Sequence, residues 1–155
     1  RESWGERLRA LGRGINQAAT DHPRITFVWP LHPNPRVAQS LGGIGWPPNV
    51  QFREPMGPGD CAWYLAHAKA TITDSGGIQE EAAALGIPCL VAREVTDRPE
   101  SVRTNQAMVI GRTTIGVLDG IDRLRQRLLS REPSTVFGNG HAAPRIVDHL
   151  QTLMD

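Results

Sequence analysis

Asp74-Ser75-Gly76-Gly77 sets an acid, a hydroxyl and two glycines in a row at the end of an apolar run, and Gln79-Glu80-Glu81 follow almost at once. Residues of these types at a strand-to-helix corner suit the holding of an anion. A helix start offers unsatisfied N–H donors and a partial positive charge, and glycine lets a phosphate approach because no Cβ stands in its way. Ser75 is suited either to cap the helix or to donate its hydroxyl to the anion. A plainer reading is that Ser75 caps and the glycines only permit a tight turn. Arg93 and Arg98, a short way downstream, have two readings as well: they supply positive charge to phosphates, or they brace a loop by pairing with Asp97, Glu94 or Glu100.

Those residues need a scaffold, and the hydropathy pattern supplies one. Trp4, Leu8, Leu11 and Ile15 recur at helical spacing, which predicts a helix from Trp4 to about Ala19, stopped by His22-Pro23. Strands are expected at ITFVWP, VQFRE, ATITD, PCLVA and AMVIG, with helices at CAWYLAHA, at Ile78 to Leu85 and from about Ile115 to Leu129. A final helix, Pro144 to Met154, places Ile146, Val147, Leu150, Leu153 and Met154 on one face. Strands alternating with helices imply an α/β fold: a three-layer, Rossmann-like domain with a mainly parallel sheet, because parallel strands need crossover connections. Ligands of such sheets bind at the carboxyl ends of the strands, where Asp74 to Gly77 stand.

Composition narrows the function classes. With 155 residues, 39% hydrophobic, 21% charged and a formal net charge of +1, the chain reads as one domain, 1–155, with no basic excess for nucleic acid. No apolar stretch is long enough to span a bilayer and no signal-peptide pattern opens the sequence, so a cytoplasmic location is expected. The two cysteines, Cys61 and Cys89, lie far apart in apolar context with no C-x-x-C and no His cluster at metal spacing. Both are expected to be reduced core residues, and neither a metal nor a cofactor is expected.

TDSGGIQEEAAALGIPCLV, followed by TDRPESV, resembles the non-hydrolysing UDP-N-acetylglucosamine 2-epimerase family. VWPLHPNPRV resembles that family's segment ending in His-x-Asn-Pro, RESWG the tail of its H-R-R-E-N/S motif, and FGNGHAAPRIVDHL its Gly-x-Gly lead into the final helix, with Asn139 where Asp is frequent. The resemblance implies the C-terminal half of a glycosyltransferase-B fold, two facing Rossmann-like domains with the active site between them. It assigns the UDP diphosphate to Ser75, Gly76 and Gly77, with Arg93 and Arg98 as further candidates. Glu81 receives the ribose hydroxyls, nearly two helical turns from the phosphate corner, and Glu80 is left as a solvated helix residue. His32, Arg1 and Glu2 are assigned to substrate or effector binding.

The family reaction eliminates UDP to give a 2-acetamidoglucal and adds UDP back with the opposite configuration at C2. By this resemblance residues 1–155 are the leaving-group half and are inactive alone, because the acids that move the C2 proton and the His of H-R-R-E belong to sequence not included here. The expected partners are UDP, a UDP-N-acetylhexosamine and the facing N-terminal domain, in a homodimeric parent. Alternatives are the nucleotide-sugar-binding domain of a glycosyltransferase, or a sensor that kept the corner and lost the chemistry. Two departures stand out. Pro58 and Cys61 occupy the region where relatives carry aromatic residues beside the nucleobase, and Asn105 replaces a glycine, tolerable since asparagine accepts positive φ.

Overall fold

The computed structural model describes residues 5–154. Its elements run α1 (Glu6–Asp21), β1 (Phe27–Pro30), α2 (Pro35–Leu41), β2 (Val50–Arg53), α3 (Pro58–His67), β3 (Thr71–Thr73), α4 (Gly76–Leu85), β4 (Cys89–Val91), α5 (Pro99–Arg103), β5 (Ala107–Val109), α6 (Thr114–Arg125) and α7 (Ala142–Met154). Every strand pairing is parallel, as the alternating pattern requires, and the strands fall into two ladders, β1-β2 and β3-β4-β5. Between them lies a cavity of about 1000 Å³ lined by residues of both β1 and β3, among them Phe27, Trp29 and Ile72.

The central strand β4 shows why the domain has three layers. Successive side chains of a strand point to opposite faces. Leu90 accordingly joins Ile15 and Ala18 of α1 with Ile110, Val117 and Ile121, whereas Cys89 and Val91 join Leu65 of α3, Ala82 of α4 and Ala107. Helices therefore cover both faces, and α3 and α4 share one of them.

Some expectations need correction. The sequence reading left out α2 and α5, of seven and five residues, because each opens on a proline in a segment that reads as loop. The helix expected to reach Leu129 ends at Arg125, and Arg127 at φ 56 turns the chain so that Leu129 can enter the core. The last helix forms with the expected stripe, yet none of its residues is buried, and Leu153 is 70% exposed. Cys89 is a core residue whose thiol burial pushes up to about 12, but Cys61 is only half-buried beside the cavity. Asn105 does take a positive φ, 57°, and its side chain donates to the Leu128 carbonyl at 2.7 Å. Among the described residues no helix is long and apolar enough to cross a membrane.

Candidate functional site

Strand β3 delivers the chain to Asp74 and Ser75, and α4 starts at Gly76. The backbone N–H of Ser75 donates to Thr73 Oγ1 at 3.0 Å, while the Ser75 side chain makes no capping hydrogen bond to the helix it precedes. Neither Gly76 nor Gly77 has a positive φ. Outside its own helix turn and chain neighbours, a Cβ on Gly76 would come no nearer than 3.5 Å to another group, Nη2 of Arg98, and one on Gly77 would meet Ser75 Oγ at 3.9 Å. Neither the backbone conformation nor the packing around it requires glycine at these two positions. A side chain at Gly76 would pack at ordinary contact distance against Arg98 and Asp97, beside the first N–H groups of α4, which have no partner inside the helix.

The Gly86 cap at the other end of α4, φ 68, makes the contrast plain. A Cβ there would sit 2.6 Å from the Arg131 carbonyl oxygen, so that glycine is demanded by the protein itself.

Both arginines stand beside the corner. Arg93 Nε donates to the Asp74 carbonyl at 2.6 Å and its Nη1 pairs with Asp97 Oδ1 at 3.0 Å. Arg98 donates to the Glu80 carboxylate and to the Asp97 carbonyl, the latter at 3.0 Å, with Asp97 Oδ2 3.6 Å away. The loop-bracing pairs thus exist, through Asp97 and Glu80 and not through Glu94 or Glu100. The hydrogen bond to Glu80 and its charge raise the Arg98 pKa above the ordinary value. Glu80 is consequently partly solvated but not free, since it is paired with Arg98. Glu81 is exposed and takes part in no ion pair among the described residues. It follows Gly77 by four residues and so shares its helix face, one turn on.

Gln79 was not singled out in the sequence, and the structure buries it completely. Its Nε2 donates to the Ser75 carbonyl at 3.2 Å and its Oε1 accepts from Thr96 Oγ1 at 2.6 Å. The available signal was periodicity: position 79 shares a face with Ala82 and Ala83, both buried.

His32 is exposed just past β1, and its Nδ1 accepts from the Asn34 N–H at 3.1 Å, so the neutral ring carries its proton on Nε2. His32, Asp74, Thr73 and Cys61 line the same cavity, which brings the HPNP segment and the β3 corner to one region. Pro58 opens α3, and Trp63 on that helix is exposed and stacked on His67 at 4.3 Å. Arg1 and Glu2 lie outside the described residues. No group of three or more metal-ligating side chains occurs among those described.

Comparison with known proteins bears on what such a corner holds. The family model described as UDP-N-acetylglucosamine 2-epimerase matches residues 1–151. The chain is 34% identical over 157 residues to the UDP-N-acetylglucosamine 2-epimerase of Escherichia coli K12, covering 97% of this chain and 42% of that protein. It is 34% identical over 164 residues to the Salmonella borreze protein of the same name, with 100% and 43% covered. Among solved structures, the Neisseria meningitidis UDP-GlcNAc 2-epimerase bound to UDP-GlcNAc superposes with a TM-score of 0.91 at 31% identity over 98% of this chain and 42% of that one. S. aureus MnaA with UDP gives 0.92 at 31% identity over 99% and 44%. The chain therefore spans less than half the length of the relatives it matches.

Proposed function

Because the chain belongs to the UDP-N-acetylglucosamine 2-epimerase family, we propose that residues 1–155 are its UDP-holding C-terminal domain, the leaving-group half of an enzyme that interconverts UDP-N-acetylglucosamine and UDP-N-acetylmannosamine. The observation that carries this reading is the pair Gly76-Gly77, glycines that neither the turn nor the packing needs, in front of a helix start that Ser75 leaves uncapped. Glycine at a helix position costs up to about 1 kcal/mol relative to alanine. Two such residues with no internal reason point to something outside the chain that must come close.

The chemistry follows from that placement. The first N–H groups of α4 and the Ser75 hydroxyl receive the diphosphate, with Arg98 standing over Gly76 and Arg93 anchored to the Asp74 carbonyl. As the anomeric C–O bond breaks, negative charge grows on the departing diphosphate. Donors already fixed in place stabilise it without reorganising at the moment of reaction. Glu81, one turn beyond Gly77, accepts the vicinal ribose hydroxyls. His32 contributes to binding the sugar nucleotide from the β1 side of the cavity.

Proton transfer at C2 is the task of a facing domain. The uncovered stripe Ile146, Val147, Leu150, Leu153 and Met154 on α7 supports the presence of such a partner, since an isolated domain rarely leaves an amphipathic helix with its apolar face in water. The chain alone is then a weak UDP binder with no epimerase activity.

Titration calorimetry of the purified chain with UDP tests the reading, with Gly76→Val as the decisive variant. The chain should bind UDP, and the valine variant should keep its fold and lose binding. Unchanged affinity in the variant would return the corner to a plain turn. Proton NMR of UDP-N-acetylglucosamine incubated with the chain should show no C2 epimer, and epimer formed by the chain alone would overturn the two-domain assignment.

A further inference from the structure

We infer that Gln79 is a positioning residue that locks the Arg98 loop to the opening turn of α4, so that the guanidinium and the helix donors converge on a single anion. The inference rests on the diphosphate reading of that corner, and it deepens it by naming what holds the two halves of the site in register.

The connections run through one buried amide. Gln79 donates from Nε2 to the Ser75 carbonyl and accepts at Oε1 from the Thr96 hydroxyl, and that hydroxyl in turn accepts from the Arg98 N–H at 3.0 Å. The amide orientation is fixed by chemistry, because a carbonyl can only accept and therefore must face the NH₂ group. The Thr96 hydroxyl is used in both directions, as donor to Gln79 and as acceptor from Arg98. The relay thus ties Ser75, which precedes α4, to the backbone of the residue whose guanidinium lies 3.5 Å from the position of a Gly76 Cβ.

The ion pairs of Arg98 cannot do this work alone. Arg98, Glu80 and Asp97 keep 34%, 40% and 54% of their side chains exposed, and pairs so open to solvent fix a side chain poorly. Gln79 is 0% exposed, and among the described residues no buried side-chain polar atom lacks a partner, so breaking the relay strands a donor or an acceptor away from water. The rigid connection is the buried one.

Two variants cut the relay from opposite sides. Gln79→Met keeps the volume and removes both hydrogen bonds, while Thr96→Val removes the hydroxyl at a half-buried position and decides the matter if the methionine variant fails to fold. The first readout is nitrogen-15 NMR of the chain without ligand, following the Arg98 Nε–H that bonds to Glu80 and the Gly76 and Gly77 amides. Either variant should collapse the dispersed Arg98 Nε–H resonance and shift the two glycine amides, with hydrogen-exchange protection at Leu90 and Val91 kept. An unchanged Arg98 resonance overturns the inference. The second readout is a double-mutant cycle on UDP affinity: Gln79→Met should weaken binding about tenfold in the native background and less than about threefold beside Arg98→Ala. Equal losses in both backgrounds mean a merely structural glutamine and also overturn it. If the native chain binds no UDP while Gln79→Met still frees the Arg98 side chain, the positioning role stands and the diphosphate reading falls.

Discussion

Two strand-to-helix corners of this domain look alike in sequence and are built for opposite ends. After β5, Ile110-Gly111-Arg112-Thr113 leads into α6; after β3, Asp74-Ser75 leads into α4. At the first, Thr113 Oγ1 accepts from the Gly116 N–H at 3.0 Å, and a Cβ on Gly116 would fall 1.8 Å from the Ile110 carbonyl oxygen. That corner closes on itself, with its donor used and its glycine consumed by packing. At the second, the hydroxyl residue makes no cap, and a Cβ on either glycine would meet its neighbours only at ordinary van der Waals distance. A hydroxyl and a glycine at a helix start do not by themselves announce a ligand; what separates the two corners is whether the protein has already used them.

The sharpest way to break this comparison is to add one methyl group to each. Gly116→Ala forces a Cβ into a backbone carbonyl and should cost about 3 kcal/mol or more, a fall in Tm of roughly 6–12 °C for a chain of this size. Gly76→Ala meets nothing closer than 3.5 Å and should hold or slightly raise Tm, yet lower UDP affinity at least about tenfold. Thermal melts of the two variants beside calorimetry decide it. A large melting loss at Gly76, or an untroubled Gly116→Ala, would erase the distinction.

The α4 face beyond the glycines comes next. If Glu81 accepts the two ribose hydroxyls as proposed, removing it should cost about 1.5–3 kcal/mol of UDP affinity, the usual range for hydrogen bonds to a charged group, so Glu81→Ala should weaken binding by one to two orders of magnitude with Tm unchanged. Intact affinity in Glu81→Ala would remove Glu81 from the site.

The hydroxyls themselves offer a smaller, crossed effect. Thr113→Ala should lose about 1 kcal/mol of stability, the ordinary worth of a helix cap, and leave UDP binding alone. Ser75→Ala should do the reverse, with stability held within about 0.5 kcal/mol and affinity reduced by about 1–2 kcal/mol. If Ser75→Ala destabilises the fold as much as Thr113→Ala, the serine is a cap after all.

This contrast also marks the limit of sequence reading here. Residue types and order made the β3 corner visible, and the apolar pattern located all five strands and the long helices, most plainly at β4, where every residue is buried and the run is unbroken. The positive φ of Asn105 could be expected because it stands where the resembled family carries glycine and asparagine tolerates that conformation. Short helices such as α5 were not legible, since five residues carry no period. The partner of Glu80 was hidden because it lies eighteen residues away on a loop, and Gln79 because a buried amide looks in sequence like any polar helix residue. Whether a glycine is needed depends on what its absent Cβ would strike, which only the fold can tell.

The smallest expected effect concerns Glu80 and carries the opposite sign from Glu81. Glu80 holds Arg98 through a hydrogen bond, so a diphosphate at the corner must share or win the guanidinium. The Glu80 carboxylate also adds negative charge beside the corner proposed to hold an anion. Glu80→Gln keeps the shape and removes both the competition and the repulsion. Because the pair is open to solvent on both sides, the gain is modest: UDP affinity should rise about two- to fivefold, the change should shrink as salt is added, and Tm should move by less than about 2 °C. Titration calorimetry of the native chain and the variant at low and high ionic strength reads the first two trends, and thermal melts of the same two proteins read the third. Should Glu80→Gln instead weaken UDP by the margin expected of Glu81→Ala, the ribose acceptor is Glu80, and Arg98 stands there to orient that carboxylate and not to meet the phosphate.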